Sequence, residues 1–504
     1  MRVIIKENYD NICYWVSVYL KNKINSHNKD KPFVLGLPTG STPLGVYKNL
    51  INFYNQGKLS FKNVVTFNMD EYIGLSKENK QSYHYFMHTN FFNFIDIPKE
   101  NINILDGLAD DLIEECNNYE NKIKSYGGID IFLCGIGSDG HIAFNEPGSS
   151  LESKTRIKTL CLETVLDNSR FFDNIDEVPK QALTVGIDTV YSAKKVIIMA
   201  SGINKAVAIR ECIEGCISSQ YTCTIFQKHP NSIILCDDLA AREIKHKTYL
   251  YYLHLQENID IDGNPIIDTI KKNISITDRV VITSPHPDDD VIGMGGTMNL
   301  LPNKDNVNIY YMTNGLGGIK DDDEIGNLGR IREAMSSVMV LGYNHKKVKN
   351  CELPFYYDNE RKITEKDYNK LSNIINEDDP HHLFICIDSD PKKTHTKCVK
   401  IIQNIKENAS LKKVWLYQSA WGDWNNSDIK YNTSVYISKN DFERKLMSID
   451  MHISQINPKV TKEDKINSFK DIVKVQNKSE RYPGNYEEKF CVINFEEFKK
   501  LIIN

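Results

Sequence analysis

The amino-acid sequence predicts two α/β domains joined in one chain, and two observations carry this prediction. In the first half, strand-like apolar runs such as 64–67 alternate with loops and helical repeats. Such alternation is typical of a doubly wound parallel sheet with helices on both faces. Turn-forming residues at 260–265 then precede a new buried strand at 279–283, which indicates a second unit. We therefore predict domains at 1–264 and 265–504.

Composition narrows the class of protein. The chain has 504 residues, 41% apolar and 26% charged, and a net charge of -5. These values are typical of a globular protein and argue against nucleic acid or an anionic membrane as a partner. No run approaches the ~20 apolar residues that span a bilayer, and the N-terminal apolar run is too short for a signal peptide. Twelve cysteines lack CxxC pairs, so we expect reduced thiols and a cytoplasmic protein.

A glycine-rich turn at 135–147, GIGSDGHIAFNEP, follows a buried strand-like run at 129–133. It supplies Asp139, His141 and Glu146, and its glycines allow the backbone to approach a ligand. A histidine flanked by two carboxylates can be tuned to exchange protons near neutrality, as a sugar ring oxygen requires. The simpler alternative is a polar turn with a capping aspartate and a solvated histidine.

Two further strand ends carry candidate ligand-binding residues. Asp70 and Glu71 follow the run at 64–67, and carboxylates at the carboxyl end of a parallel strand lie where open α/β sheets bind ligands. A solvated strand end is the alternative. A second loop follows the strand at 31–37 and precedes a helix that Thr42 is placed to cap. Its hydroxyls and the helix N-terminus can bind an anion, although an ordinary capped helix is the alternative. The loop comprises Thr39, Gly40, Ser41 and Thr42.

Together these stretches resemble the glucosamine-6-phosphate deaminase family from Met1 to about Lys247. The resemblance implies conversion of glucosamine 6-phosphate into fructose 6-phosphate and ammonia, without a cofactor. It implies that His141 assists ring opening, that Asp139 and Glu146 orient it, and that Asp70 moves a proton from C2 towards C1. The phosphate ligands that it implies are Thr39, Gly40, Ser41, Thr42, Arg170 and Lys205.

The same resemblance implies regulation and assembly. Ser149, Arg156 and Lys158 match an effector pocket that binds N-acetylglucosamine 6-phosphate between subunits in allosteric members, so a homo-oligomer such as a hexamer is expected. Galactosamine 6-phosphate remains an alternative substrate, because the sequence does not resolve the C4 epimer. The 6-phosphogluconolactonases share the fold, but their hydrolysis does not require Asp70 paired with Glu146.

In the second half, the strand at 279–283 runs into 284–290, SPHPDDD. A histidine and several aspartates at a strand end suit a divalent cation, although an acidic helix start is the alternative. The segment resembles the PIG-L/LmbE family of zinc-dependent de-N-acetylases, which implies a second Rossmann-like, three-layer α/β domain. By that resemblance His286 and Asp289 are zinc ligands, and Asp288 is the base that activates water.

The third ligand is expected from His395, which follows the strand at 383–387 and completes a set of three. The family generally has another histidine three residues earlier, where this chain has Lys392, so zinc binding could persist while turnover is reduced. His452 falls in a family-like segment and could compensate in part. Arg330 and Glu333 resemble the family's substrate-side pair, with a surface ion pair as the simpler alternative.

Other conspicuous side chains carry no functional weight. His381 and His382 precede a strand and lack matching carboxylates, so we expect them at the surface. Trp415, Trp421, Trp424 and Tyr417 are expected to pack the core or a pocket rim of the second domain.

The chain is thus predicted to carry two enzymes that act on small amino sugar phosphates. The second domain would remove acetate from an N-acetylated amino sugar, and the first would deaminate the freed amine. The alternative keeps the deaminase but makes the second domain a non-catalytic sugar-binding or assembly module. Lys392 favours that alternative, and the intact His286, Asp288 and Asp289 oppose it.

Overall fold

The computed structural model divides the chain into two compact units, Met1–Asn264 and Pro265–Asn504. Within the residues described, no helix is both long enough and apolar enough to cross a membrane. The described residues are 1–169, 172, 174–315, 324–388, 390–405, 410–420, 422–424, 427–452, 469–479, 481 and 485–502.

The first unit alternates strands and helices, as its sequence pattern predicts. Its strands are β1 (Arg2–Lys6), β2 (Phe33–Leu37), β3 (Val64–Asn68), β4 (Asp70–Tyr72), β5 (Ile102–Asn103), β6 (Ile131–Cys134), β7 (Arg156–Thr159), β8 (Gln181–Thr184), β9 (Val196–Ala200) and β10 (Ser232–Asp237). Its helices are α1 (Tyr9–Ser26), α2 (Leu44–Asn55), α3 (Tyr83–Asn90), α4 (Leu112–Ser125), α5 (Leu162–Ser169), α6 (Ile187–Tyr191), α7 (Ala206–Glu214) and α8 (His246–Glu257).

Seven of these strands form one parallel sheet in the order β1-β10-β9-β6-β2-β3-β5. The central strands are buried along their whole length, since helices cover both faces of the sheet. One apolar cluster includes Phe132 and Ile198 on one face, and a second includes Leu133 and Ile197 on the other. A small antiparallel sheet, β4-β8-β7, extends from the end of β3 and carries Asp70.

The second unit repeats the layered plan with a different strand order. Its strands are β11 (Val280–Ser284), β12 (Val307–Tyr311), β13 (Val348–Asn350), β14 (His382–Cys386), β15 (Lys413–Tyr417), β16 (Thr433–Ile437) and β17 (Tyr486–Ile493). Its helices are α9 (Thr269–Asn273), α10 (Asp289–Leu300), α11 (Glu324–Val340), α12 (Glu365–Asp378), α13 (Thr394–Gln403), α14 (Lys439–Ile449), α15 (Phe469–Gln476) and α16 (Phe495–Lys499).

These strands pair in the order β13-β12-β11-β14-β15-β17-β16. The first five are parallel to one another, and β17 runs antiparallel to both of its neighbours, β15 and β16. Apolar clusters again cover the two faces. Trp415 and Tyr417 lie fully in this core, as expected, and Trp424 packs against it while partly buried. Trp421 lies outside the described residues. The prediction of two α/β domains with Rossmann-like sheets is therefore confirmed.

The expectation that His382 lies at the surface is wrong. His382 begins the central strand β14 and is 1% exposed. Its Nε2 lies 3.2 Å from Oδ2 of Asp278, and its Nδ1 accepts from Trp415 Nε1 at 3.3 Å. The partner carboxylate is 104 residues away in sequence, so no local pattern could reveal it.

Candidate active sites

Both candidate sites lie where the strand order of a parallel sheet reverses. In the first unit β2 has β3 on one side and β6 on the other, and in the second β11 lies between β12 and β14. Loops leaving such neighbouring strands diverge and open a crevice at their carboxyl ends, where open α/β sheets bind ligands. Residues 38–42 and 135–141 follow β2 and β6, and residues 285–289 and 390–395 follow β11 and β14.

The first crevice contains a cavity of about 370 Å³. Its lining includes the hydroxyl-rich loop after β2, Asp70, His141 and Lys205. The rings of Tyr83 and Phe144 stack with their centroids 6.1 Å apart and form part of the wall. An apolar wall facing a few convergent polar groups is typical of a small-molecule site.

Asp70 opens β4 and faces this cavity. The turn before it is anchored because the Tyr119 hydroxyl donates to the Asn68 carbonyl oxygen at 2.6 Å. Asp70 is 5% exposed, and its Oδ1 has no hydrogen-bond partner among the described residues. Burial, and then the charge of Glu71, raises the pKa of Asp70 well above its ordinary value. A carboxylate in this environment is a stronger base than one in water, which suits proton abstraction.

The glycine-rich turn presents His141 between two carboxylates. His141 Nδ1 lies 2.7 Å from Oδ1 of Asp139 and 3.9 Å from Oε2 of Glu146. Gly140 has a φ of 82°, and a Cβ there would lie only 2.8 Å from the Tyr221 ring. Burial opposes ionisation of Asp139, but its interactions with His141 hold the pKa of Asp139 below the ordinary value. The ionised Asp139 can therefore orient Nδ1–H and leave Nε2 available for proton exchange.

Glu146 is held in place from α5. The Thr164 hydroxyl donates to Glu146 Oε1 at 2.7 Å, and the Cys161 N–H donates to the same oxygen at 3.4 Å. Thr164 also lines the cavity. Thr164 could not be predicted from the sequence, because a threonine 18 residues after Glu146 carries no local signal.

The same three side chains could in principle hold a metal ion, since ligand atoms of Asp139, His141 and Glu146 lie within 4.8 Å of one another. Two ligand atoms on tetrahedral zinc are separated by about 3.3 Å. The 2.7 Å between Asp139 Oδ1 and His141 Nδ1 is well below that separation and is the distance of a direct contact between the two side chains. This trio therefore fits a proton-handling site better than a metal site.

The loop after β2 is fastened to α1. The Tyr9 hydroxyl lies 3.0 Å from the carbonyl oxygens of Ser41 and Thr42, and it accepts from the Gly45 N–H at 2.9 Å. The expectation that Thr42 caps the following helix is wrong, because α2 begins at Leu44 without a side-chain cap. Thr42 lines the cavity instead, so its hydroxyl is placed to meet a ligand.

Lys205 reaches the same cavity from the loop after β9. Asp237 fixes that loop, because it accepts from the Ser201 hydroxyl at 2.5 Å and from the Gly202 N–H at 3.0 Å. A cation and the Asp70 carboxyl thus line the same cavity. Arg170, the other predicted phosphate ligand, lies outside the described residues.

Ser149, Arg156 and Lys158 form a cluster beside Glu146. The Lys158 ammonium donates to Ser149 Oγ at 3.1 Å, and Arg156 donates to Asn145 Oδ1 at 2.8 Å. The Ser149 N–H donates to the carbonyl oxygen of Glu146 at 3.0 Å. Hydrogen bonds thus join the three predicted effector residues to the segment 145–149, which carries Glu146.

In the second unit, His286, Asp289 and His395 meet at one point. The separations between His286 Nδ1, Asp289 Oδ2 and His395 Nε2 are 3.0–3.1 Å. Asp289 is 3% exposed and His395 is fully buried. Burial would lower the pKa of His395, but the charge of Asp289 outweighs it and raises that pKa above its ordinary value.

These three residues fit a zinc ion in chemistry and in spacing. Imidazole nitrogens and a carboxylate oxygen are usual zinc ligands, and a tetrahedral ion with bonds of about 2.0–2.1 Å separates its ligand atoms by about 3.3 Å. The observed separations are slightly smaller. Small side-chain shifts would therefore accommodate the ion.

Asp288 lies beside these ligands and is paired with a buried cation. Arg330, 4% exposed, places Nη2 at 3.1 Å from Asp288 Oδ2, so the simpler alternative of a surface ion pair is wrong. Gly315 permits this, because a Cβ there would lie 2.1 Å from the guanidinium. Burial lowers the pKa of His452, whose Nε2 has no hydrogen-bond partner among the described residues.

The loop before α13 fixes the backbone of His395. Asp390 accepts from the His395 N–H at 2.8 Å and from the Lys392 N–H at 3.1 Å. Lys393 adopts a left-handed φ of 55°, a strained conformation for a residue with a side chain. The Lys392 side chain, three residues before His395, is exposed.

Comparisons with known proteins agree with this two-unit arrangement. Residues 8–235 match the family of glucosamine-6-phosphate isomerases and 6-phosphogluconolactonases, and residues 281–406 match the GlcNAc-PI de-N-acetylase (PIG-L) family. A glucosamine-6-phosphate deaminase of Parabacteroides distasonis is 54% identical over 261 residues, which are 51% of this chain and 97% of that protein. A Treponema denticola enzyme of the same name is 57% identical over 260 residues, which are 51% of this chain and 96% of that protein. A solved monomeric glucosamine-6-phosphate deaminase is 40% identical, covering 48% of this chain and 100% of that one with a TM-score of 0.47.

The relatives share more than half of their aligned residues with the first unit across nearly their whole length. The PIG-L match includes His286, Asp288, Asp289 and His395. The chain therefore belongs to the glucosamine-6-phosphate deaminase family, and its second unit contains a PIG-L family domain.

Proposed function

We propose that the first unit converts glucosamine 6-phosphate into fructose 6-phosphate and ammonia. The observation that carries this proposal is that Asp70, His141, Lys205 and the hydroxyl-rich loop all line the same cavity. Proton-exchanging groups and phosphate-binding groups are thus available to one small substrate. High identity to named deaminases supports the same activity.

The proposed reaction divides its proton transfers between two groups. His141, oriented by Asp139, exchanges a proton with the ring oxygen and opens the ring. Asp70 then takes the proton from C2 and returns it to C1, which moves the carbonyl character to C2. Water adds at C2 and ammonia leaves, so one water is consumed. The raised pKa of Asp70 and its Oδ1, which has no hydrogen-bond partner among the described residues, support its role as the base.

We infer regulation by N-acetylglucosamine 6-phosphate in a homo-oligomer. The cluster of Ser149, Arg156 and Lys158 supports this, because its contacts reach the segment that carries Glu146. Rate curves with and without this effector test it in an Asp288→Asn chain, whose second unit is disabled. Superimposable curves would remove the claim.

For the second unit we propose de-N-acetylation of an N-acetylated amino sugar. His286, Asp289 and His395 would hold a zinc ion, which supplies Lewis acidity towards an amide carbonyl and towards water. Asp288, held by Arg330, would take the proton from the attacking water. His452 is buried, and its Nε2, without a hydrogen-bond partner in the described part of the chain, is available for a hydrogen bond to the substrate. The free cysteines among the described residues support a cytoplasmic location for both activities.

Lys392 keeps a non-catalytic second unit as an alternative, because an exposed lysine stands where the PIG-L family generally has a histidine. Product analysis decides between the two. We expect ammonia from glucosamine 6-phosphate, and both acetate and ammonia from N-acetylglucosamine 6-phosphate. If the wild type binds metal but releases no acetate, and Lys392→His restores acetate release, the second unit is a weakened enzyme. Comparison of the rates of ammonia release from glucosamine 6-phosphate and galactosamine 6-phosphate tests which C4 epimer is the substrate.

A further inference from the structure

A second layer of polar side chains lies directly behind the three proposed zinc ligands. Asp388 Oδ1 lies 3.0 Å from His395 Nδ1, the ring nitrogen opposite the ligand nitrogen. The Ser419 hydroxyl lies 2.7 Å from Asp289 Oδ1 and 2.8 Å from Asp388 Oδ2. Asp388 is 4% exposed and Ser419 is fully buried. One carboxylate and one hydroxyl therefore connect two of the three ligands.

The contact of Asp388 with His395 determines which nitrogen of the ring can bind a cation. An acceptor at 3.0 Å from Nδ1 holds a proton on Nδ1 and makes Nε2 the nitrogen that faces His286 and Asp289, where a cation would replace its proton. A ligating histidine held in this way by a carboxylate has a fixed ring orientation and a more basic ligand nitrogen. Asp388 therefore orients His395 so that Nε2 is presented to a cation.

Ser419 fixes the two carboxylates relative to each other. Its N–H donates to Asp388 Oδ2 at 3.2 Å, while its single hydroxyl proton is shared between Asp388 Oδ2 and Asp289 Oδ1. Oδ1 of Asp289 is thereby engaged by Ser419, and Oδ2 of Asp289 lies towards His286 and His395. Because buried polar groups are costly to leave unpaired, this network strongly restricts the rotamers of both aspartates.

We propose that Asp388 and Ser419 are positioning residues that set the zinc affinity of the second unit. This inference rests on the proposed metal site at His286, Asp289 and His395. The metal site itself comes from the loops after β11 and β14, whereas Ser419 brings in the loop after β15. Cation binding is thus linked to the packing of three neighbouring parallel strands.

Zinc affinity of the full chain, measured by competition with a chromophoric chelator, tests the proposal. We expect one zinc per chain in the wild type, and roughly 10–100-fold weaker binding in Ser419→Ala and Asp388→Asn. Ser419→Thr keeps the hydroxyl and should restore most of the affinity. Ser337→Ala is the matched control, since it removes another fully buried serine hydroxyl, 2.7 Å from Ser448 Oγ, in the same unit.

Three outcomes would overturn the proposal. Equal affinity in wild type, Ser419→Ala and Asp388→Asn would show that the second layer does not act on the cation. Two zinc ions per chain would make Asp388 a direct ligand, in the cluster that it forms with Cys386 and His395. A wild type without zinc would remove the metal site as well. Failure of the proposed reaction is distinguished by acetate release, since a zinc-loaded wild type that releases no acetate leaves the affinity comparison intact.

Discussion

Nδ1 of His141 lies 2.7 Å from the Asp139 carboxylate and 3.9 Å from that of Glu146. The closer contact makes Asp139 the group that orients the imidazole, and Glu146 is then the more distant modulator. Asp139→Asn removes the charge but keeps the shape, so we expect kcat to fall by roughly 10–100-fold with little change in KM. Steady-state kinetics of ammonia release measure both constants. A changed KM with an unchanged kcat would assign Asp139 to binding.

Asp70 carries the most demanding step of the proposed first reaction. Asp70→Asn retains the packing of a 5% exposed side chain but cannot accept a proton, so kcat should fall by about 10²–10⁴-fold. Ammonia release measures the loss, and exchange of the C2 proton with deuterated solvent shows whether proton abstraction itself has stopped. Near-normal turnover in this variant would remove Asp70 as the base.

Phosphate binding should depend on Lys205 and on the loop that carries it. Lys205→Ala removes a contact made in both ground and transition states, so KM should rise by about tenfold or more while kcat changes little. Asp237→Asn should have a smaller effect in the same direction, because Asp237 holds the Gly202 N–H and not the substrate. Equal activity on unphosphorylated glucosamine would contradict this assignment.

Contiguous motifs were the parts of each site that the sequence could predict. His286 and Asp289 lie three residues apart after one strand, so their meeting follows from local geometry. His395 was also predictable, because parallel strands bring their carboxyl ends to the same edge. Partners contributed by distant elements carried no such signal. Ser419 contacts Asp289 across 130 residues, and Thr164 contacts Glu146 from a separate helix.

The error at His382 has the same origin. A histidine at the start of an apolar run gave no sign of a carboxylate, and Asp278 joins it only through the pairing of β14 with β11. The Thr42 expectation failed for a different reason. Its pattern permits a helix cap, but Tyr9 from α1 holds the loop in another conformation. Tertiary contacts outweighed local preference in both cases.

Acid should destabilise the second unit through Asp278. Burial works against its ionisation, but Lys412 at 2.6 Å, the Ser275 N–H and His382 lower the pKa of Asp278 to about 2, from an ordinary 3.8. A depressed folded-state pKa contributes stability above the unfolded value, and that stability is lost as the pH falls from about 4 towards 2. The contribution is on the order of 2 kcal/mol.

His382 adds a loss of stability that begins at higher pH, because burial lowers the pKa of His382 below the ordinary 6.5. The unfolded chain then binds a proton that the folded unit excludes, so stability falls as the pH drops below about 6.5. Urea unfolding followed by the fluorescence of Trp415, with the other tryptophans replaced by phenylalanine, reports on this site directly. Asp278→Asn should flatten the curve between pH 4 and 2, whereas Asp471→Asn, an exposed carboxylate, should not.

Metal removal should separate the two activities within one chain. A chelator that strips the cation from His286, Asp289 and His395 should lower acetate release by at least about 100-fold, because several kcal/mol of charge stabilisation depart with the ion. Ammonia release from glucosamine 6-phosphate should not change, since Asp139 and His141 approach each other directly at 2.7 Å and need no ion between them. His286→Ala should reproduce the effect without a chelator and should purify without zinc. If chelation also stopped the deamination, the trio of Asp139, His141 and Glu146 would have to be reassigned as a metal site.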